Sequence, residues 1–285
     1  MGPHWGERWS HPRAFSSSGR TRPAMLYQHL RLETADGVAR VTLDRPDVRN
    51  AFNADLIREL TDAFARVGAD PHVRVVVLAG EGKTFSGGAD LNWMRAALDC
   101  TEDENIEDAL AMSDMFRTID RCPKPTIARV HGAALGGGVG LCAVCDIVIA
   151  ANDTVFGFTE VKLGILPAVI SPFAIAKIGR SHARALFLTG ERFGVDRAMA
   201  IGLVHHSADP QELDVAVDRI LSELKTAGPR ASQIAKRMIE EVCEVDYDAS
   251  RELTAKRIAA QRVSAEGQEG IRAFLDKRKA EWVRA

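Results

Sequence analysis

Two glycine-rich segments lie about fifty residues apart: Phe85-Ser86-Gly87-Gly88-Ala89-Asp90 and His131-Gly132-Ala133-Ala134-Leu135-Gly136-Gly137-Gly138. Each follows a β-branched apolar run and precedes a helix-like stretch. Glycine lets a backbone approach a ligand closely, and an opening helix leaves amide N–H groups unpaired. Two such turns meeting in space can grip one oxygen from two sides. A carbonyl oxygen that gains negative charge during reaction needs that arrangement. The chain therefore reads as an enzyme working on an activated acyl group.

The elements that must hold these turns follow from periodicity. Residues 29–34 and 38–43 alternate apolar and polar around Asp36-Gly37, a hairpin signal. A polar loop with Pro46 follows. Asn53 then caps a helix with the stripe Leu56, Leu60, Phe64 and Val67. Residues 73–79 and 126–130 read as strands buried on both faces, one before each glycine turn. Helices are expected over 92–98, over 106–119 with Ile106, Leu110 and Phe116 on one side, and over 138–145. Strands follow at 146–151 and 155–158. Strand, glycine turn, helix and strand thus occur twice, which points to α/β architecture. From about residue 210 the pattern changes to amphipathic helices, over 211–225, 230–242, 248–263 and 267–283.

Composition excludes several classes. Lys+Arg of 37 against Asp+Glu of 39 gives no electrostatic reason to expect nucleic acid. No apolar run reaches the roughly 20 residues of a membrane span. The five cysteines form no regular framework, as in a reducing compartment, and the expected location is cytoplasmic. Cys142 and Cys145 lie in an apolar stretch and read as small core thiols. No metal is expected, because no histidine and carboxylate cluster has ligand spacing. Residues 1–24 carry three prolines, four arginines and one acid. They read as a disordered leader, an upstream extension or a transit peptide, the last placing the protein in the mitochondrial matrix. The expected division is this leader, a core over 25–209 and a helical region over 210–285.

The motifs Arg45-Pro46 with Asn50-Ala51, then 80–91, 130–146, 156–167, Leu188-Thr189-Gly190 and Gly202-Leu203-Val204 resemble the crotonase superfamily of enoyl-CoA hydratases and isomerases. The likeness covers roughly residues 26–285 and includes the tail 270–282. It implies a spiral of ββα units with a C-terminal helical oligomerisation region, in a homotrimer or a dimer of trimers. It also implies an acyl-CoA thioester as substrate and no separate cofactor, since coenzyme A enters with the substrate. The implied oxyanion donors are the N–H groups of Gly87 and Gly137, and the implied acid–base residue is Glu160. Coenzyme A contacts come by the same analogy from Val48, Arg49 and Ala51 and from Gly87, Gly88, Ala89 and Asp90. Asp90 reads equally as a helix N-cap. Lys83, Phe274 and Lys277 read either as nucleotide contacts or as solvated or packed surface, and His131 as structural. Gly136-Gly137-Gly138 fails the dinucleotide fingerprint on spacing.

The chain also departs from the pattern. Many family hydratases carry a second glutamate after the glycine turn, and here that position is Gly140. One reading is a hydratase using Glu160 alone, with water held by the substrate's own carboxylate in the space left at Gly140. The other is a Δ3,Δ2-enoyl-CoA isomerase shuttling one proton. A retained fold that binds acyl-CoA without turning it over is a third. Ala89 to Met94 and Pro167 to Pro172 look most like hydratases of branched, carboxylated thioesters such as 3-methylglutaconyl-CoA in leucine breakdown.

Overall fold

The computed structural model describes residues 25–283, so the leader expected over 1–24 lies outside the described residues. Strand β1 (Met25–Leu26) pairs antiparallel with β2 (Leu30–Ala35), and β2 with β3 (Val38–Leu43). Asp36 and Gly37 both have positive φ, at 50° and 77°. That is the twist a tight two-residue hairpin requires. Helix α1 (Ala54–Ala69) starts where expected, with the Asn53 side chain accepting from the Leu56 N–H at 2.9 Å. It buries Leu56, Leu60, Phe64 and Val67. Truncating Leu60 to alanine would cost about 2–5 kcal/mol.

Strand β4 (Val75–Gly80) leads through the first glycine turn into α2 (Leu91–Ala96) and α3 (Glu102–Asp120). Helix α3 differs from expectation in its first half. Ile106 and Leu110 are exposed, and burial begins at Met115, Phe116 and Ile119. The acids Glu102, Asp103 and Glu104 and the Thr101–Glu104 capping box keep that end in water.

Strand β5 (Thr126–Val130), the short β6 (Ala133–Leu135), α4 (Gly137–Val144), β7 (Ile147–Ala151) and β8 (Val155–Gly157) complete the second pass. Then come α5 (Ser171–Thr189), β9 (Arg192–Gly194), α6 (Val195–Ala200) and β10 (His206–Ala208). The tail holds α7 (Leu213–Thr226), α8 (Pro229–Cys243), α9 (Tyr247–Val263) and α10 (Ala265–Leu275). Lys277 takes a left-handed φ of 53° and ends the last helix, so the single helix expected over 267–283 stops early.

The main sheet runs β1-β2-β3-β4-β5-β7-β10, parallel from β3 onward. A second sheet, β6-β8-β9, carries the residues after the second glycine turn. Alternation sends Val76 and Leu78 to the face beneath α1 and Val75 and Val77 to the opposite face. Leu213, Val217 and Leu221 of α7 cover that second face. Helices α8 and α9 bury no residue, and Ile239, Tyr247, Val263 and Phe274 lie exposed. No helix among the described residues is long and apolar enough to cross a membrane.

Candidate active site

The two glycine turns do meet. Ser86 N–H donates to Ala133 O at 3.1 Å and Leu135 N–H to Ser86 O at 3.0 Å, so the segments zip together through Ser86 and Ala134. The fit needs glycine on both sides. A Cβ on Gly138 would stand 2.7 Å from Ser86 O, and one on Gly88, whose φ is 94°, would stand 3.0 Å from Leu135 O.

The loop over residues 45–51 braces the first turn from behind. The buried Asn50 accepts from the Arg45 N–H at 2.9 Å and donates to the carbonyls of Glu81 and Thr84 at 2.9 and 2.7 Å. Arg49 and Asn50 take left-handed φ of 57° and 52°, which points their carbonyls back at the turn. Arg49 O accepts the Gly87 N–H at 2.8 Å, and Asn50 O accepts the Ser86 hydroxyl at 3.0 Å. Gly87 N–H is therefore engaged, against the expectation that it is a free donor. Asp90 N–H is engaged too, donating to Phe52 O at 2.9 Å, and Gly88 N–H makes a long contact of 3.4 Å with Ser86 Oγ. The Ala89 N–H between them has no acceptor among the described residues, and Ala89 is exposed at the cavity.

On the other side, Gly136 adopts φ 50° and ψ −120°, a geometry open to glycine, with its N–H on Gly157 O at 2.9 Å. Gly137 is the first residue of α4, so its N–H has no intrahelical acceptor. Phe52 and Met112 press against its α-carbon, since a Cβ there would meet both at 2.9 Å.

Glu160 faces this corner. Strand β8 is held parallel to β6, and Glu160 opens the 3-10 turn Glu160–Leu163 that follows, closed by Gly164 at φ 74°. Its Oε1 lies 3.2 Å from where a Cβ on Gly136 would stand, and its Oε2 is buried with no hydrogen-bond partner. Burial pushes its pKa above the usual carboxylate range, outweighing the opposing hydrogen bond from its own backbone amide. Ala89, Gly136, Gly137 and Glu160 share one cavity of about 310 Å³, whose remaining walls include Trp93, Met112 and Ile170. Glu160 is its one titratable lining residue.

Other expected residues fall elsewhere. Gly140 is buried and does not line the cavity; the space a side chain would take there is filled by Ile170 Cγ2 and Phe116 Cζ. Neither a second acid nor water and substrate can use that position. Asp90 is spent on the fold: it caps α2 through the Asn92 N–H at 2.8 Å and pairs with Arg45 at 2.8 Å. The Ala51 carbonyl accepts from the Arg45 guanidinium, whereas Val48 and Arg49 lie exposed on the loop behind the turn. Lys83, Phe274 and Lys277 are exposed and do not line the cavity. His131 Nε2 lies 2.9 Å from Gly82 O, tying strand to turn, as its structural reading requires. Cys142 in α4 and Cys145 just after it are buried, and burial pushes the Cys145 thiol up to about 12.

Sequence reasoning missed the Arg45 pairing, the free Ala89 amide and the Ile170 wall. Arg45 sits in a quoted motif, but its partner is far along the chain. The Ala89 amide is identified only by seeing which neighbouring amides are already taken.

Residues 33–285 match the model of the enoyl-CoA hydratase/isomerase family. The crotonyl-CoA hydratase of Syntrophomonas wolfei subsp. wolfei is 33% identical over 91% of this chain and 99% of its own. The crystal structure of an enoyl-CoA hydratase from Shewanella pealeana superposes with a TM-score of 0.86 at 36% identity, over 90% of this chain and 96% of that one. Pseudomonas aeruginosa AtuE gives 0.87 at 36%, over 90% and 100%. With two glycine turns locked together beside one carboxyl whose buried oxygen has no partner, and matches of this extent, the chain belongs to the crotonase superfamily, the enoyl-CoA hydratases and isomerases.

Proposed function

We propose that this protein is an enoyl-CoA hydratase, adding water reversibly across the α,β double bond of an acyl-CoA thioester. The thioester oxygen is held by the N–H groups of Ala89 and Gly137, with Ala89 in the place first given to Gly87. Glu160 takes a proton from the incoming water as its hydroxyl bonds to the β-carbon, then delivers that proton to the α-carbon of the enolate. The observation that carries this reading is the Glu160 carboxyl, its buried Oε2 without a partner, in an apolar cavity edged by two unused amides. A carboxyl whose hold on its proton is raised by burial is suited to act as acid as well as base. Enolate charge is stabilised by donors already in place, and one such donor is worth about 3–4 kcal/mol in the transition state. The site needs no cofactor of its own.

The acyl group is branched and carboxylated, 3-methylglutaconyl-CoA being the leading candidate. Support comes from Ala89 to Met94 and from Pro167 to Pro172, which supply much of the cavity wall. No cation lines that wall, so the distal carboxylate sits toward the mouth, in water. Coenzyme A runs over the loop holding Val48, Arg49 and Ala51. The exposed apolar residues of α8 to α10 are covered in a homotrimer or a dimer of trimers, which sedimentation would measure. The protein acts in the cytoplasm.

A second reading has its own observation. With the space at Gly140 filled, one carboxyl must handle every proton, as in a Δ3,Δ2-enoyl-CoA isomerase. Incubation with 3-methylglutaconyl-CoA, crotonyl-CoA and a 3-enoyl-CoA, followed by mass, separates the readings. Gain of one water marks the hydratase, and a shifted double bond at unchanged mass marks the isomerase. Stable binding with no product marks a scaffold.

A further inference from the structure

Beyond Gly137 the cavity meets an aliphatic side chain set at a definite depth. Ile170 lines the cavity yet is only 2% exposed, and its carbonyl accepts the Ala174 N–H at 2.9 Å at the start of α5. Its Cγ2 reaches to 2.5 Å from the point where a Cβ on Gly140 would stand. No real Cβ tolerates that approach, so the missing side chain at one residue is what seats the other. Phe116 Cζ backs the same point at 2.8 Å, with its ring packed between Phe52 and Phe173. Phe116 does not itself line the cavity, so Ile170 is the face an acyl chain would touch. Gly140 follows Gly137 by three residues on α4, about 4.5 Å along the helix axis. With Cγ2 wedged over Gly140, the Ile170 side chain is fixed just beyond the proposed thioester site, at the depth of the first acyl carbons.

We infer that Ile170, seated in the gap over Gly140, is the specificity-determining residue that stops the acyl chain and restricts the site to short acyl groups. This rests on the acyl-CoA reading above. Gly140 and Ile170 act as one unit, because enlarging the first requires shrinking the second.

The test compares chain lengths in the wild type, I170A and I170V. Valine keeps the Cγ2 wedge, whereas alanine removes it. I170A is expected to raise the octenoyl-CoA to crotonyl-CoA ratio of kcat/KM by about tenfold or more. I170V should move that ratio by less than about threefold. Calorimetry on the wild type gives a readout independent of turnover and of variant folding. Octanoyl-CoA should bind within about threefold of butyryl-CoA despite four added methylenes, which an open pocket would convert into far tighter binding. A wild type that binds octanoyl-CoA much more tightly overturns the inference, as does a folded I170A with the wild-type ratio. A wild type that shows the short-chain limit in binding but turns over no thioester overturns the hydratase reading and leaves Ile170 in place.

Discussion

Two carboxylates flank the paired glycine turns, and they behave in opposite ways. Asp90 closes the first turn and Glu160 faces the second. Both are withdrawn from water. Burial pushes Asp90 up, but hydrogen bonds from Asn92 and from Arg45, with the Arg45 charge, outweigh it and hold Asp90 below the usual carboxylate range. Burial also pushes Glu160 up, and there no cation answers it. Burial alone thus fails to separate a structural acid from a reactive one. The partner set separates them: Asp90 is held by Arg45 and the α2 cap, whereas Glu160 is the acid that the proposed function places at the chemistry.

The sharpest way to break that contrast is to remove the proton-exchanging oxygen. Glu160→Gln keeps shape and volume and should lower kcat by about 10²–10⁴-fold. Affinity for a saturated acyl-CoA, measured by calorimetry, should stay near the wild-type value. A variant that retains full turnover removes Glu160 from the mechanism and dissolves the distinction between the two acids.

Asp90→Ala tests the other half. It leaves Arg45 without its partner and uncaps α2, so stability should fall by about 3–5 kcal/mol in urea unfolding. Asp90→Asn keeps a capping oxygen and should lose less. Its turnover should stay far above that of E160Q. An Asp90→Ala protein of undiminished stability but no activity would make Asp90 the reactive group instead.

Acid and base titrations of stability should then move in opposite directions. Glu160 holds its proton more tightly folded than unfolded, so its contribution to stability falls as pH rises from the ordinary carboxylate range toward its raised pKa. Asp90 is the reverse. Its contribution is present above the unfolded value and is lost as pH falls through its depressed pKa. Melting curves from about pH 3 to 8 should therefore show E160Q at least as stable as wild type near neutrality, the gap closing in acid. D90N should lie below wild type near neutrality and converge with it at the acid end. Parallel curves for all three proteins would contradict the assigned causes.

How much of this was legible beforehand depends on the range of the interaction. The hairpin at Asp36-Gly37, the Asn53 cap and the buried strands before each glycine turn are local signals, and the structure has them. Helix α5 went unexpected because Pro172 sits at its start and Gly179 breaks it at φ 75°, which scatters its periodicity. The apolar residues Ile106 and Leu110 followed a helical spacing but found no core to enter. At the site, residue types pointed to turns that do pair, and the resemblance to a glutamate that lines their cavity. Which amide remains free, and what fills the space over Gly140, depend on Arg49, Phe116 and Ile170 arriving from distant segments. Spacing along one chain does not encode such meetings.

The smallest effect extends the comparison from anions to cations. Arg45 is spent on Asp90, as Asp90 is spent on it, whereas Arg49 is exposed on the same loop. The Arg49 stem lies over Gly87, with Cβ and Cδ 3.2 and 3.8 Å from the point a side chain there would occupy. Its grip on the turn comes through the backbone carbonyl, which Arg49→Ala retains. The turn should therefore survive, and only an exposed charge on the proposed coenzyme A loop is lost. An exposed cation facing a phosphate is worth little and is screened by salt, so KM for acyl-CoA should rise about two- to fivefold with kcat unchanged. The rise should shrink as ionic strength passes about 0.15 M, where charges are screened within about 8 Å. A truncated thioester lacking the nucleotide should show no change at all, because the cation then has no anion to meet. An equal loss on both thioesters would place Arg49 with Arg45, as a second cation spent on the fold.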